Sequence, residues 1–148
     1  MKIKYYFDEI NNENISLFLA GPTPRNDKVE SWRKEAIKYL NDFNGVLYIP
    51  EFENIMLDTY EKDNIIEWEE KALNEATYIM FWIPRSKELP GFTTNIEYGF
   101  YRDNKNIFVG FPKDTFKTDY ILYYVKKNNT PFSNDLKELC NLILEKTK

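Results

Sequence analysis

The segment 89–100, LPGFTTNIEYGF, holds the spacing best suited to chemistry. A Pro-Gly loop runs into a helical pattern, with Thr94 at the expected N-cap and Glu97 three residues later. Thr-x-x-Glu is a capping box, in which the glutamate reaches back to a backbone N–H. The same placement suits a nucleophile, because the positive end of a helix dipole favours a carboxylate as its anion. On spacing alone, both readings stand.

Composition removes several competing chemistries. The 148 residues contain no histidine, which excludes Ser-His-Asp and Cys-His mechanisms and leaves zinc without its usual donors. The single cysteine, Cys140, falls on the apolar side of the last helical pattern and reads as a core residue in a reducing compartment. Carboxylates, amides, hydroxyls or tyrosines must therefore carry any catalysis, with no metal and no organic cofactor expected. The net charge of −4 provides no basic footprint for polymeric nucleic acid. No stretch reaches the roughly 20 apolar residues of a membrane span, and no signal-peptide pattern opens the chain. A cytoplasmic protein with a small-molecule ligand is the expectation.

Four apolar runs must position these groups: 15–20, 45–49, 77–83 and 107–111. Each has strand length and near-continuous hydrophobicity, as in strands buried on both faces of a parallel sheet. Between the first two, Val29, Trp32, Ala36, Ile37 and Leu40 recur at helical spacing. Ile65, Trp68, Ala72, Leu73 and Ala76 repeat the pattern before the third, and Leu136, Leu139, Cys140 and Ile143 mark a closing helix. Residues 94–101 read as a short helix between the last two runs. The alternation predicts one α/β domain over residues 1–148, a doubly wound, flavodoxin-like parallel sheet of four to five strands. Residues 2–7 are an extra strand or hairpin arm, and 120–125 a fifth strand. Proline follows every core run, at Pro22, Pro50, Pro84 and Pro112, which suggests a stiff rim where open sheets bind ligands.

Six pieces occur in order: LFLAGP at 17–22, SWR at 31–33, Trp68-Glu69, FWIP at 81–84, PGFTTNIEYG at 90–99 and VGFP at 109–112. The series resembles the nucleoside 2-deoxyribosyltransferase-like family, in its shorter branch with a Pro-Gly-Phe-Thr-Thr element. The resemblance implies that Glu97 attacks C1′ of a sugar and expels the base, after which a second base or water takes its place. It also implies at least a homodimer, with the tyrosines Tyr120, Tyr123 and Tyr124 as one means of reaching a neighbour.

The chain departs from better-known members at Thr77 and Gly91, where they carry aspartates that handle the base proton or hold the substrate. Glu51, Glu53, Asp58 and Glu69 are the available replacements, and Glu69, beside Trp68, is the best of them. For substrate binding, Gly21 and Thr23 offer a loop near a helix start, and Arg25 a cation for a 5′-phosphate. Phe92 offers a ring for base stacking and Asn95 a partner for a sugar hydroxyl. The expected function is cleavage or exchange at the N-glycosidic bond of a (deoxy)nucleoside or (deoxy)nucleotide. The rival is a nucleotide-binding or sensor module on the same fold without turnover.

Overall fold

The computed structural model describes residues 1–11, 14–53 and 61–148. Six parallel strands form one sheet: β1 (Lys2–Lys4), β2 (Ser16–Ala20), β3 (Val46–Tyr48), β4 (Tyr78–Trp82), β5 (Ile107–Gly110) and β6 (Phe132–Ser133). Their order is β1-β3-β2-β4-β5-β6. The chain winds outward from β2 to β3, then returns to the other side of β2 for β4, so the switch point lies between β2 and β4. This is the doubly wound, flavodoxin-like arrangement.

Five helices cover the sheet: α1 (Arg33–Tyr39), α2 (Lys62–Glu75), α3 (Phe92–Tyr101), α4 (Asp119–Lys127) and α5 (Leu136–Lys146). Successive strand side chains point to opposite faces, and the core divides accordingly. Phe18, Ala20, Ile79, Phe81 and Val109 pack with Trp68 and Leu73 of α2, Tyr98 of α3 and Ile121 and Val125 of α4. Leu17, Leu19, Met80, Trp82 and Phe108 pack with Ala36 of α1 and with Leu139, Cys140 and Ile143 of α5. Strands apolar on both faces therefore have helices on both, as their continuous hydrophobicity requires. Among the described residues no helix is long and apolar enough to cross a membrane.

Two sequence expectations change. Residues 120–125 lie within helix α4, not a strand. Their β-branched and aromatic content suits a strand, but Ile121 and Val125, one turn apart, are the two positions the core takes. The strand expected within residues 2–7 does form, as β1, which pairs parallel to β3 and not in a hairpin, while the sheet's further strand is β6, only two residues long. Thr94 is not an N-cap: Gly91 precedes the first residue of α3 with φ 69° and ψ 38°, a left-handed conformation that glycine adopts without strain. The helix starts earlier, and no capping box forms.

Candidate active site

The carboxyl ends of β2 and β4 approach closely because Gly21 has no side chain. A Cβ there would lie 2.1 Å from the Trp82 carbonyl oxygen and 2.7 Å from the Trp32 ring. Gly21 thus permits the switch point to close. Its carbonyl accepts from Arg33 Nη2 at 2.7 Å.

Arg33, at the start of α1, is 1% exposed and organises this end of the sheet. Its Nε donates to Leu19 O at 2.8 Å, and its Nη1 to Thr23 Oγ1 at 3.0 Å and Glu51 Oε1 at 2.7 Å. Ser31 also donates its hydroxyl to Glu51. A planar guanidinium with five donors suits a crowded loop cluster of this kind. Thr23 and Glu51 are therefore held by protein partners, while Glu53 and Arg25 are exposed. Arg25 has no hydrogen bond or ion pair among the described residues. Asp58 lies outside the described residues.

Glu97 is half-buried on the inner side of α3 and makes no hydrogen bond among the described residues. Burial pushes its carboxyl up, the neighbouring Glu69 charge adds to this, and Arg33 opposes both; the balance is about 8. Glu69, on α2, is half-buried as well. Burial raises its carboxyl, while a hydrogen bond from Tyr6 and the charge of Arg33 pull it down. The Tyr6 hydroxyl donates to Glu69 Oε1 at 2.5 Å. Burial and the like charge of Glu69 together favour the protonated form of Glu97 at neutral pH.

The other expected residues fall around this pair. Phe92 opens α3 and is 71% exposed beside Gly91. Thr94 is buried within the helix. Asn95 Oδ1 accepts from Arg85 Nη2 at 2.8 Å, so its side chain braces the loop. Thr77 lies at the amino end of β4, where its hydroxyl accepts from Ser16 N at 3.0 Å. Thr77 is thus tied to the start of β2, and the carboxylate whose charge acts on Glu97 is Glu69.

Three site residues carried no assigned role in the sequence reading. Arg33 was visible as part of the SWR element, but its reach to strand β2 and to the segments after β2 and β3 appears only on folding. Tyr6 left no local signal, since its partner is 63 residues away. Arg85 follows FWIP and donates to Pro90 O at 2.9 Å as well as to Asn95. A cavity of about 470 Å³ is lined by Phe7, Asn64, Glu67, Trp68 and Lys71, and neither Glu69 nor Glu97 is among these residues.

Two half-buried glutamates, a buried arginine and a helix entered through Gly91 make this end of the sheet a candidate site in an α/β domain that has no histidine. The chain belongs to the nucleoside 2-deoxyribosyltransferase-like family, which matches residues 14–115. No curated protein sequence matches it.

Proposed function

We propose that this chain breaks the N-glycosidic bond of deoxynucleosides or deoxynucleotides through a covalent glycosyl–Glu97 ester, then passes the sugar to a second base or to water. What supports this reading is a set of two half-buried glutamates, Glu97 on α3 and Glu69 on α2, in a common electrostatic field with buried Arg33, where burial and the Glu69 charge raise the Glu97 carboxyl. Two carboxyls of unequal environment are what glycosyl transfer with retention asks for, one as nucleophile and one as acid then base.

The step balances as follows. In the resting pair Glu97 holds the proton and Glu69 is the anion. The proton passes to Glu69, an oxygen of ionised Glu97 bonds to C1′, and the C1′–N bond breaks as the departing base nitrogen takes the proton from Glu69. The result is a neutral ester at Glu97, a neutral base and an anionic Glu69. In the second half Glu69 removes the proton of the incoming base or water, which attacks C1′ and releases Glu97. Arg33 moderates the charge, and Phe92, exposed at the α3 entry, supplies a ring for the base.

The test is chromatographic. Wild type, Glu97→Ala and Glu97→Gln are incubated with deoxynucleosides, deoxynucleotides and their ribosyl counterparts, with and without an acceptor base. Free base from wild type alone indicates hydrolysis, and a new nucleoside indicates transfer. A second reading, ligand binding without turnover, draws on the carboxyl at about 8, which leaves Glu97 mainly protonated and weakly nucleophilic at neutral pH. Thermal stabilisation of all three proteins by a nucleotide, with no product from any, would replace the first reading with the second.

A further inference from the structure

Residues 1–11 precede the family-matched span of 14–115, yet they are built into the site. β1 extends the sheet beside β3, and the chain then crosses toward the carboxyl ends of the strands. Tyr6 N donates to Glu51 O at 3.0 Å, and Trp68 Nε1 donates to Asp8 O at 3.0 Å. Buried Lys4 donates to the Glu9 carbonyl and closes the arm on itself. The Tyr6 ring meets Trp68 edge-on at 5.4 Å and Phe52 at 4.9 Å. Phe7, next along, takes a left-handed backbone with φ 68°. That conformation costs a non-glycine residue on the order of 1 kcal/mol and persists where surrounding contacts over-determine it. The arm therefore holds the phenol in a fixed place, with its hydroxyl on Glu69 Oε1.

We propose that Tyr6, contributed from outside the family-matched span, is a positioning residue that fixes where the shared proton of the Glu69–Glu97 pair resides. Tyr6 from the arm hydrogen-bonds Glu69 from α2, and the charges of Glu69 and of Arg33 from α1 act on Glu97 from α3, whose own charge reaches Tyr6 and Tyr101; Glu51 is already paired to Arg33. Burial and the Glu69 charge hold the phenol far above its ordinary range, so it stays neutral and only donates. A neutral donor favours the Glu69 anion. The charge therefore rests on Glu69 and the proton on Glu97. In the proposed glycosidic reaction, on which this consequence rests, the same hydroxyl stabilises Glu69 once it has given its proton to the departing base.

Tyr6→Phe removes one oxygen and keeps the ring that packs on Trp68 and Phe52. The glutamate carboxyls of the free protein are titrated by carbon-13 NMR in wild type and Tyr6→Phe, and the pH profile of kcat/KM is measured on both. The lower-pH ionisation, assigned to Glu69, is expected to rise by about one pH unit, the worth of one hydrogen bond to a charge. The acidic limb of the profile moves with it, and the alkaline limb stays. A purely structural role would lower activity without moving one limb alone. An unmoved carboxyl titration in folded Tyr6→Phe overturns the proposal. The titration needs no turnover, so an inactive wild type would refute the glycosidic reading and leave the Tyr6 result standing. If Tyr6→Phe fails to fold, Glu69→Gln tests the same pair. The Glu97 titration should then fall below 8 while burial keeps it above the ordinary carboxylate range, and an unmoved titration overturns the proposal.

Discussion

Arg85 Nη2 donates to Asn95 Oδ1 at 2.8 Å, which ties the carboxyl end of β4 to the first turn of the helix that carries Glu97. The same guanidinium holds the Pro90 carbonyl at 2.9 Å. Arg85 is 8% exposed and has no carboxylate partner among the described residues. Its Nε is the one buried side-chain atom there without a hydrogen bond. A buried cation with that deficit is costly, and what it secures is the loop entering α3.

Arg85→Met should therefore cost stability by roughly 1–3 kcal/mol, as the Pro90 carbonyl and Asn95 lose their donor. It should also lower kcat about tenfold or more, with a smaller change in KM, because Glu97 loses its fixed approach. Arg85→Lys, which keeps the charge and one donor direction, should fall between. Thermal melts and steady-state kinetics check this, and a folded Arg85→Met with wild-type kcat would remove Arg85 from the site.

The pH dependence of kcat/KM should be bell-shaped. The reactive form carries one proton on the pair, so activity falls at low pH when both glutamates are protonated. It falls again above about 8, when Glu97 also ionises. These limbs belong to the coupled pair. A profile that rises through pH 8 and stays high would mean that the doubly ionised site is the reactive one.

Arg33 lowers both glutamate carboxyls and is 1% exposed beside Glu51. Arg33→Met strands Glu51 and three other acceptors, so a loss of about 3–5 kcal/mol is expected. Wherever the variant folds, both limbs of the pH profile should move to higher pH. The double change Arg33→Met with Glu51→Leu should recover part of the stability, since the uncompensated charge is gone, while the profile stays shifted.

The four central strands were legible because burial on both faces forces continuous apolar runs, and no other element of that length does so. α4 was not, since its two core contacts, Ile121 and Val125, sit among tyrosines that equally suit a strand. β6 has two residues and carries no period at all. Within the site, Glu97 was visible from its place in the helical pattern after the Pro-Gly loop and from family resemblance, and Glu69 from its pairing with Trp68. Residues that act across distance left no local trace. Tyr6 reaches Glu69 over 63 positions, and Arg33 gathers Leu19, Gly21, Thr23 and Glu51 only when the end of β2 and the segments after β2 and β3 converge. The Thr94-x-x-Glu97 spacing misled for a related reason: Gly91 can turn the chain into the helix one turn earlier, and tertiary contacts decide which start is used.

Glu97→Gln should make the protein more stable, and the gain should depend on pH in one direction. The Glu97 carboxyl ionises near 4.5 in an unperturbed chain and near 8 in the folded protein. Below about 4.5 it is protonated in both states, so its stability contribution is fully present there. Between 4.5 and 8 the unfolded chain releases the proton while the folded one retains it. The folded state binds more protons over that window, so stability falls as pH rises. Above 8 the folded state carries the full cost of a buried charge beside Glu69. A neutral glutamine escapes that cost, so the advantage of Glu97→Gln should be near zero at pH 4 and grow through neutrality. It should level off above pH 8 at roughly 1–3 kcal/mol, in keeping with the trade between stability and active-site strain. Urea titrations of both proteins at pH 4, 6, 7.5 and 9 measure the difference directly. A constant difference across that range would mean that Glu97 ionises at the same pH folded and unfolded, so that it is already an anion at neutral pH and the proton the proposed reaction needs comes from another group.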